Sequence, residues 1–143
     1  MDRLLGPIAR SSTSLQSDSG MPKGVRVAAL VRELMTASRI ESLVTGAGAS
    51  VARADAPDQL PAAGEVDLLV VDWGDREPNW GAAIAAWRDR AEEGGRPRIV
   101  LFGPHTDLAS HRAARDTGLG PMRARSSFFA DLPDLLAKVL PGL

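Results

Sequence analysis

The chain has 143 residues with a formal net charge of −1, 44% hydrophobic and 24% charged, the make-up of one ordinary globular domain with a proper core. That balance sets up no global field for nucleic acid or anionic lipid, so neither nucleic acid nor a membrane surface is an expected partner. The absence of cysteine excludes disulfides, thiolate metal sites and cysteine nucleophiles, and no apolar run approaches the roughly 20 residues of a membrane span.

Residues 1–22 stand apart from the rest. Ser11-Ser12-Thr13-Ser14, Ser17 and Ser19 form a polar stretch that buries too little surface to offset its ordering entropy, which predicts a flexible Ser-rich tail. Met1 to Ile8 carries Asp2 and is broken by Gly6-Pro7, so it lacks the long apolar segment of a signal peptide. A cytoplasmic, bacterial-type protein is the expectation. Met21-Pro22-Lys23 is an alternative start, and one domain is expected over 24–141.

From residue 24 the hydrophobic period alternates. Val25 to Val31 is almost wholly apolar, as a strand buried on both faces should be. Residues 32–47 read as a helix, with Leu34, Ile40, Leu43, Val44 and Ala47 at helical spacing and Gly46/Gly48 as its stop. Ser50 to Ala54 is a short second strand, and 57–64 hold at most a short, poor helix between Pro57 and Pro61.

The third strand is expected over 66–72. Asn79 is positioned to cap a helix whose Trp80, Ile84, Trp87 and Ala91 share one stripe, closed by Gly94-Gly95. Arg98 to Phe102 is a fourth strand ended by Gly103-Pro104, followed by a helix from about Leu108 to Thr117 with Thr106 or Asp107 as cap and Gly118 as stop. Met122 to Arg125 is a weak fifth strand. The last helix is expected over 132–140, with Asp131 near its start, Pro133 in its first turn, and Leu135, Leu136, Val139 and Leu140 facing inward.

Five β–α units in succession imply an α/β fold: a three-layer α/β/α domain around a five-stranded parallel sheet of flavodoxin-like order 2-1-3-4-5. Ligands of such sheets sit outside the carboxyl ends of the strands. The functional rim therefore gathers the loops that begin near Val31, Asp72, Phe102 and Arg125.

Over roughly residues 24–141 the chain resembles a bacterial response-regulator receiver domain. The local match is strongest at Leu69-Val70-Val71-Asp72-Trp73 and the loop with Pro78, Asn79 and Gly81, supported by Pro97 to Gly103 and Gly118 to Ser127. The resemblance implies a Mg²⁺ site made by two acids after the first strand, a phospho-accepting Asp, a Ser/Thr after the fourth strand and a Lys after the fifth. Only the acceptor is matched, by Asp72. The other positions read Leu30-Val31-Arg32-Glu33, Phe102-Gly103 and Arg125-Ser126. Glu33-Leu34-Met35 with Ser38-Arg39-Ile40, Phe102-Gly103-Pro104-His105 and Arg125-Ser126-Ser127-Phe128 also resemble a group of uncharacterised receiver-like bacterial proteins, which implies no defined activity.

Phosphorylating a carboxylate adds nearly two negative charges to a site already negative, so Mg²⁺ and positioned donors are the substance of the catalysis. Leu30, Val31 and Arg32 remove ligands and add a cation. Asp72 is therefore expected as a strand-end carboxylate neutralised by Arg32 or Arg125, or held by backbone N–H groups at a turn, with Arg32 standing where Mg²⁺ would otherwise be. His105 is a candidate proton carrier or ligand-binding imidazole beside Asp72 and Arg125, or a residue that caps or packs in the Gly103-Pro104 turn. Arg123, Arg125, Ser126 and Ser127 have groups that suit an anion, or form a solvated turn. His105 and His111 lack the spacing of helical metal ligands, and neither a metal nor a cofactor is expected.

Trp80 and Trp87, seven apart, belong to the core or a half-buried rim, and Phe128-Phe129 is a candidate exposed interface. In receivers the fourth helix, fifth strand and fifth helix commonly dock partners, which by resemblance points to residues 108–140 here. The leading expectation is a non-catalytic, receiver-like module that is not phosphorylated and acts by contact with another protein or a second copy of itself. The alternatives are a genuine Asp72 phosphoacceptor helped by Glu33 or Asp75, and a small anion- or nucleotide-binding domain using Asp72, His105, Arg125, Ser126 and Arg32.

Overall fold

The structure, a computed structural model, describes residues 26–139. The predicted tail over 1–22, the alternative start at Met21 and the inward-facing Leu140 lie outside the described residues. Five parallel strands form one sheet: β1 (Arg26–Leu30), β2 (Ser50–Ala54), β3 (Leu68–Asp72), β4 (Arg98–Gly103) and β5 (Met122–Ala124), in the order β2-β1-β3-β4-β5. This is the expected 2-1-3-4-5 arrangement. Four helices accompany it: α1 (Leu34–Gly46), α2 (Trp80–Asp89), α3 (Leu108–Thr117) and α4 (Arg125–Val139). Among the described residues no helix is long and apolar enough to cross a membrane.

The central strands are apolar throughout because each face of the sheet has its own core. Val27, Ala29, Leu68, Val70, Val100 and Phe102 point to the side covered by α1 and α4. Ala28, Leu30, Leu69, Val71 and Leu101 point to the side covered by α2, α3 and the β2–β3 connection. Alternate residues thus enter opposite cores, and no polar face is left to produce a visible alternation. The β2–β3 connection has no α-helix, only 3₁₀ turns at Pro57–Gln59 and Ala63–Glu65. Its two flanking prolines keep it from propagating an α-helix.

Several local expectations shift. Leu34 does not face inward: it is 70% exposed at the start of α1, while Thr36, Ala37, Ile40 and Val44 are the buried positions. The helix starts at Leu34 and not at the predicted residue 32, with Glu33 as its N-cap accepting hydrogen bonds from the Met35 and Thr36 N–H groups, the ordinary chemistry of that position. Asn79 makes no side-chain cap, because its own backbone is already helical. α2 ends at Asp89, and Gly94-Gly95 sit in a separate short turn. For α3 the expectation matches: Asp107 caps it and Gly118, at φ 74, closes it in the left-handed region that favours glycine.

The largest correction is α4. It begins at Arg125, seven residues before the expected start, so Asp131 and Pro133 lie inside it. Pro133 is on the outer face, so its ring stays out of the core and the helix continues through it to Val139. The two turns that precede it are held by packing. Phe128 stacks on Phe102 at 4.4 Å between ring centroids, and Phe129 meets Phe128 edge-on at 5.0 Å. Phe128 and Phe129 are therefore core residues and not the exposed interface their position suggested.

Candidate functional site at the carboxyl ends of the strands

β3 is flanked by β1 and β4, so its last residue, Asp72, stands at the centre of the rim, in register with Phe102 of β4. The residue is 7% exposed. Among the described residues it accepts no hydrogen bond and forms no ion pair. Burial pushes its carboxyl above the usual carboxylate range; the charge of Arg125 offsets part of that rise, Asp75 and Glu33 add to it, and Arg32 offsets it again.

Neither arginine pairs with Asp72, which corrects the expectation of an arginine-held carboxylate. Arg32 leaves β1 and reaches across to the loop after β3. Its Nε lies 3.2 Å from Asp75 Oδ2 and its Nη1 2.9 Å from Glu77 Oε2, and Nη2 donates to the Asp75 carbonyl. Its guanidinium also lies over the Trp80 ring, 5.1 Å from the centroid. These acids are half exposed, so pairing there leaves the guanidinium hydrated, whereas pairing with Asp72 would require desolvating it.

Arg125, the first residue of α4, points back to α1. It donates to the Thr36 hydroxyl and stands 4.0 Å from Glu33 Oε1. Thr36 in turn donates its hydroxyl and its N–H to Glu33. These hydrogen bonds from Thr36, with that from the Met35 N–H, hold the Glu33 carboxyl below its usual range. Glu33, Thr36 and Arg125 thus tie the first turn of α1 to the first turn of α4. Sequence spacing signals the Glu33–Thr36 half of this network through the capping pattern, but nothing local points to Arg125.

A second network, also not foreseen, fixes the turn at Trp73–Asp75. Trp73 is buried in the core beneath α2 and α3, and its Nε1 donates to the Ser110 carbonyl at 3.0 Å. Arg76 donates to the Trp73 carbonyl and to Ser110 Oγ, at 3.0 and 2.7 Å. The Ser110 hydroxyl and N–H both donate to Asp107, at 2.6 and 3.1 Å, and hold that carboxyl below its usual range. The spacing of Asp107 and Ser110 is a capping signal, while the roles of Trp73 and Arg76 depend on the fold.

The β4 end completes the rim. Gly103 packs directly on the turn after β3: a Cβ there would stand 3.2 Å from Gly74 N and 2.6 Å from Met122 Sδ. A Cβ on Gly74 would in turn meet Pro104 Cδ at 2.7 Å. His105 is exposed, and its carbonyl lies 3.0 Å from His111 Nε2. No hydrogen bond or ion pair joins His105 to Asp72 or Arg125 among the described residues. Ser126 is exposed on the first turn of α4, and Arg123 pairs with Asp131 at 3.3 Å. The rim therefore holds Asp72, Arg32 and Arg125 within one electrostatic neighbourhood, but it does not assemble His105, Arg125 and Ser126 into one bonded set. Among the described residues no three His, Cys, Asp or Glu side chains come together as a metal site.

No family model matches the chain, and no curated protein matches its sequence. Solved structures match its fold. A response regulator receiver domain protein from Clostridium thermocellum is 14% identical, with 80% of this chain and 93% of that one covered at a TM-score of 0.61. A response regulator from Thermotoga maritima is 12% identical, with 81% and 97% covered at 0.61. A pilus assembly-related protein from Burkholderia pseudomallei is 17% identical, with 80% and 88% covered at 0.58. The fold is that of a receiver domain, in agreement with the resemblance read from the strand ends.

Proposed function

We propose that the chain is a regulatory module of receiver fold that works by protein–protein contact, has no catalytic role and does not depend on phosphoryl transfer to Asp72. The observation that carries this is the contact between Gly103 and Gly74. The position after β4 where a receiver's hydroxyl would project is filled by the backbone of the neighbouring turn and by Met122. A Ser or Thr there requires Met122 to shift and the backbone of that turn to give by a few tenths of an ångström.

The charges around Asp72 support the same reading. Phosphoryl transfer depends on positioning and on cations that neutralise the transferring oxygens. The acids nearest to Asp72 have other partners: Glu33 holds the start of α1, and Asp75 is bound by Arg32. An anion site built on Arg125, Ser126 and His105 draws no comparable support, since Arg125 is directed at Thr36 and Glu33.

The test is incubation of the full chain with acetyl phosphate and Mg²⁺, followed by intact mass. No phosphoryl adduct is expected. An adduct that disappears in Asp72→Asn would overturn the proposal and restore the phosphoacceptor alternative.

A further inference from the structure

The described residues leave three large apolar side chains in solvent: Leu34, Met35 and Leu108, at 70%, 78% and 73% exposure. All three belong to the same end of the molecule. Leu34 and Met35 open α1, just after β1, and Leu108 opens α3, after the loop that leaves β4. β3 runs between β1 and β4 and ends in Asp72. Leu34 and Met35 thus stand on the α1 face of the sheet and Leu108 on the α3 face. At the strand end between them is Asp72, a residue 7% exposed and without an ion-pair partner among the described residues.

We infer that this rim docks a protein segment presenting one lysine or arginine between apolar side chains, with the cation meeting Asp72 and the apolar flanks covering Leu34, Met35 and Leu108. The inference rests on the reading above that the module works by protein contact, and it names the surface and the chemistry of the partner. Charge decides the cation. Four carboxylates, Asp72, Asp75, Glu77 and Glu33, share the rim with Arg32 and Arg125. Arg32 is held by Asp75 and Glu77, and Arg125 by Thr36 and Glu33. Arg32 is thus shared by two carboxylates, and the rim keeps an excess of negative charge. Asp72 is the carboxylate of the four that has neither a hydrogen bond nor an ion pair among the described residues.

Bringing a cation to Asp72 carries the desolvation cost that Arg32 avoids by pairing with exposed acids. In a docked segment the burial of Leu34, Met35 and Leu108 by the apolar flanks offsets it, and the oriented charge pair sets specificity. The apolar side chains argue against a free metal ion or small amine, which would use Asp72 and leave them uncovered. Interface cores combine an apolar patch of this kind with few, well-placed polar groups.

The experiment uses the full chain and two labelled leucine-rich peptides that differ only at the central residue, lysine in one and glutamine in the other. Fluorescence anisotropy is expected to show the lysine peptide binding about ten-fold more tightly, the order of one charge-assisted hydrogen bond. Asp72→Asn should erase that preference, with a thermal melt confirming that the variant is folded. Leu34→Ser combined with Met35→Ser, or Leu108→Ser, should weaken both peptides several-fold and leave the preference intact, since these exposed positions do not support the core.

Equal binding of the two peptides, or binding that ignores the serine substitutions, overturns the inference. Light scattering provides a second readout: a dimer dissolved by those same substitutions would mean that a second copy covers the rim, and would overturn the choice of partner. A phosphoryl adduct on Asp72 would sink the proposed function by a separate assay, whereas flat peptide titrations without an adduct would sink only the docking surface.

Discussion

Arg32 grips Asp75 at two points, through its carboxylate and through its backbone carbonyl, and so fastens the turn that follows β3 to the end of β1. The carbonyl contact makes this a restraint on the chain path as well as an ion pair. It also gives Arg32 a position that a carboxylate at the end of β1 could not reproduce. The guanidinium supplies built-in positive charge at the rim and directs it toward Asp75 and Glu77 instead of Asp72.

Arg32→Ala should therefore loosen the turn selectively. Amide exchange over 73–77 is expected to accelerate, while the thermal midpoint of the whole domain changes little, because the pair is half exposed and screened by solvent. Unchanged exchange in that segment would show that the Trp73–Ser110 and Arg76 contacts hold the turn without Arg32.

Gly103→Ser tests the close packing at the β4 end. The new Cβ must displace Met122 and press the Gly74 backbone back by a few tenths of an ångström, and overpacking of this kind costs about 1–3 kcal/mol. Met122 can swing aside but the Gly74 contact remains, so urea unfolding should reveal a clear loss of stability. The same variant should still form no adduct with acetyl phosphate. A stable Gly103→Ser protein would remove the steric argument against a hydroxyl at this position.

Asp72→Asn should stabilise the domain at neutral pH. The Asp72 carboxyl is raised above its usual range chiefly by burial, so the folded state holds this proton more tightly than the unfolded chain does. Stability then falls as pH rises from the unfolded value through the raised folded one, and the penalty is fully present above it. Asn removes the charge with little change of shape. Its thermal midpoint should exceed that of the parent near pH 7, and the difference should shrink as pH falls through the acidic range. A variant less stable than the parent at pH 7 would show that the carboxylate is held by a favourable partner after all.

Phe128→Ala probes the early start of α4. The ring is fully buried and stacked on Phe102, so its loss should cost about 3–5 kcal/mol. Circular dichroism at intermediate denaturant is expected to show the first turns of α4 melting with the rest of the domain, since they depend on this contact. A loss well below that range would return Phe128 to the exposed role suggested by its place in the sequence.

Much of the fold was legible because it follows from one-dimensional patterns. A strand buried on both faces must be apolar at nearly every residue, which is what Val66 to Val71 displays. Asp107 and Gly118 bound α3 as their side-chain chemistry predicts. The start of α4 was misread because Asp131-Leu132-Pro133 imitates a helix beginning. Phe128 and Phe129 override that local signal by packing on Phe102, and no propensity records a contact with another strand.

The sequence alone was sufficient for the element order, the parallel sheet and the placing of Asp72 at a strand end, since hydrophobic period and turn chemistry are local properties. The tertiary structure alone decided the company Asp72 keeps. Arg32 finds Asp75 across 43 residues and Arg125 finds Thr36 across 89, choices settled by geometry and by the cost of desolvating a charge. The same is true of Gly103, whose lack of a side chain becomes meaningful only because the fold brings Gly74 against it. Which partner a charged group takes depends on distance and hydration in the folded state, and neither quantity is written along the chain.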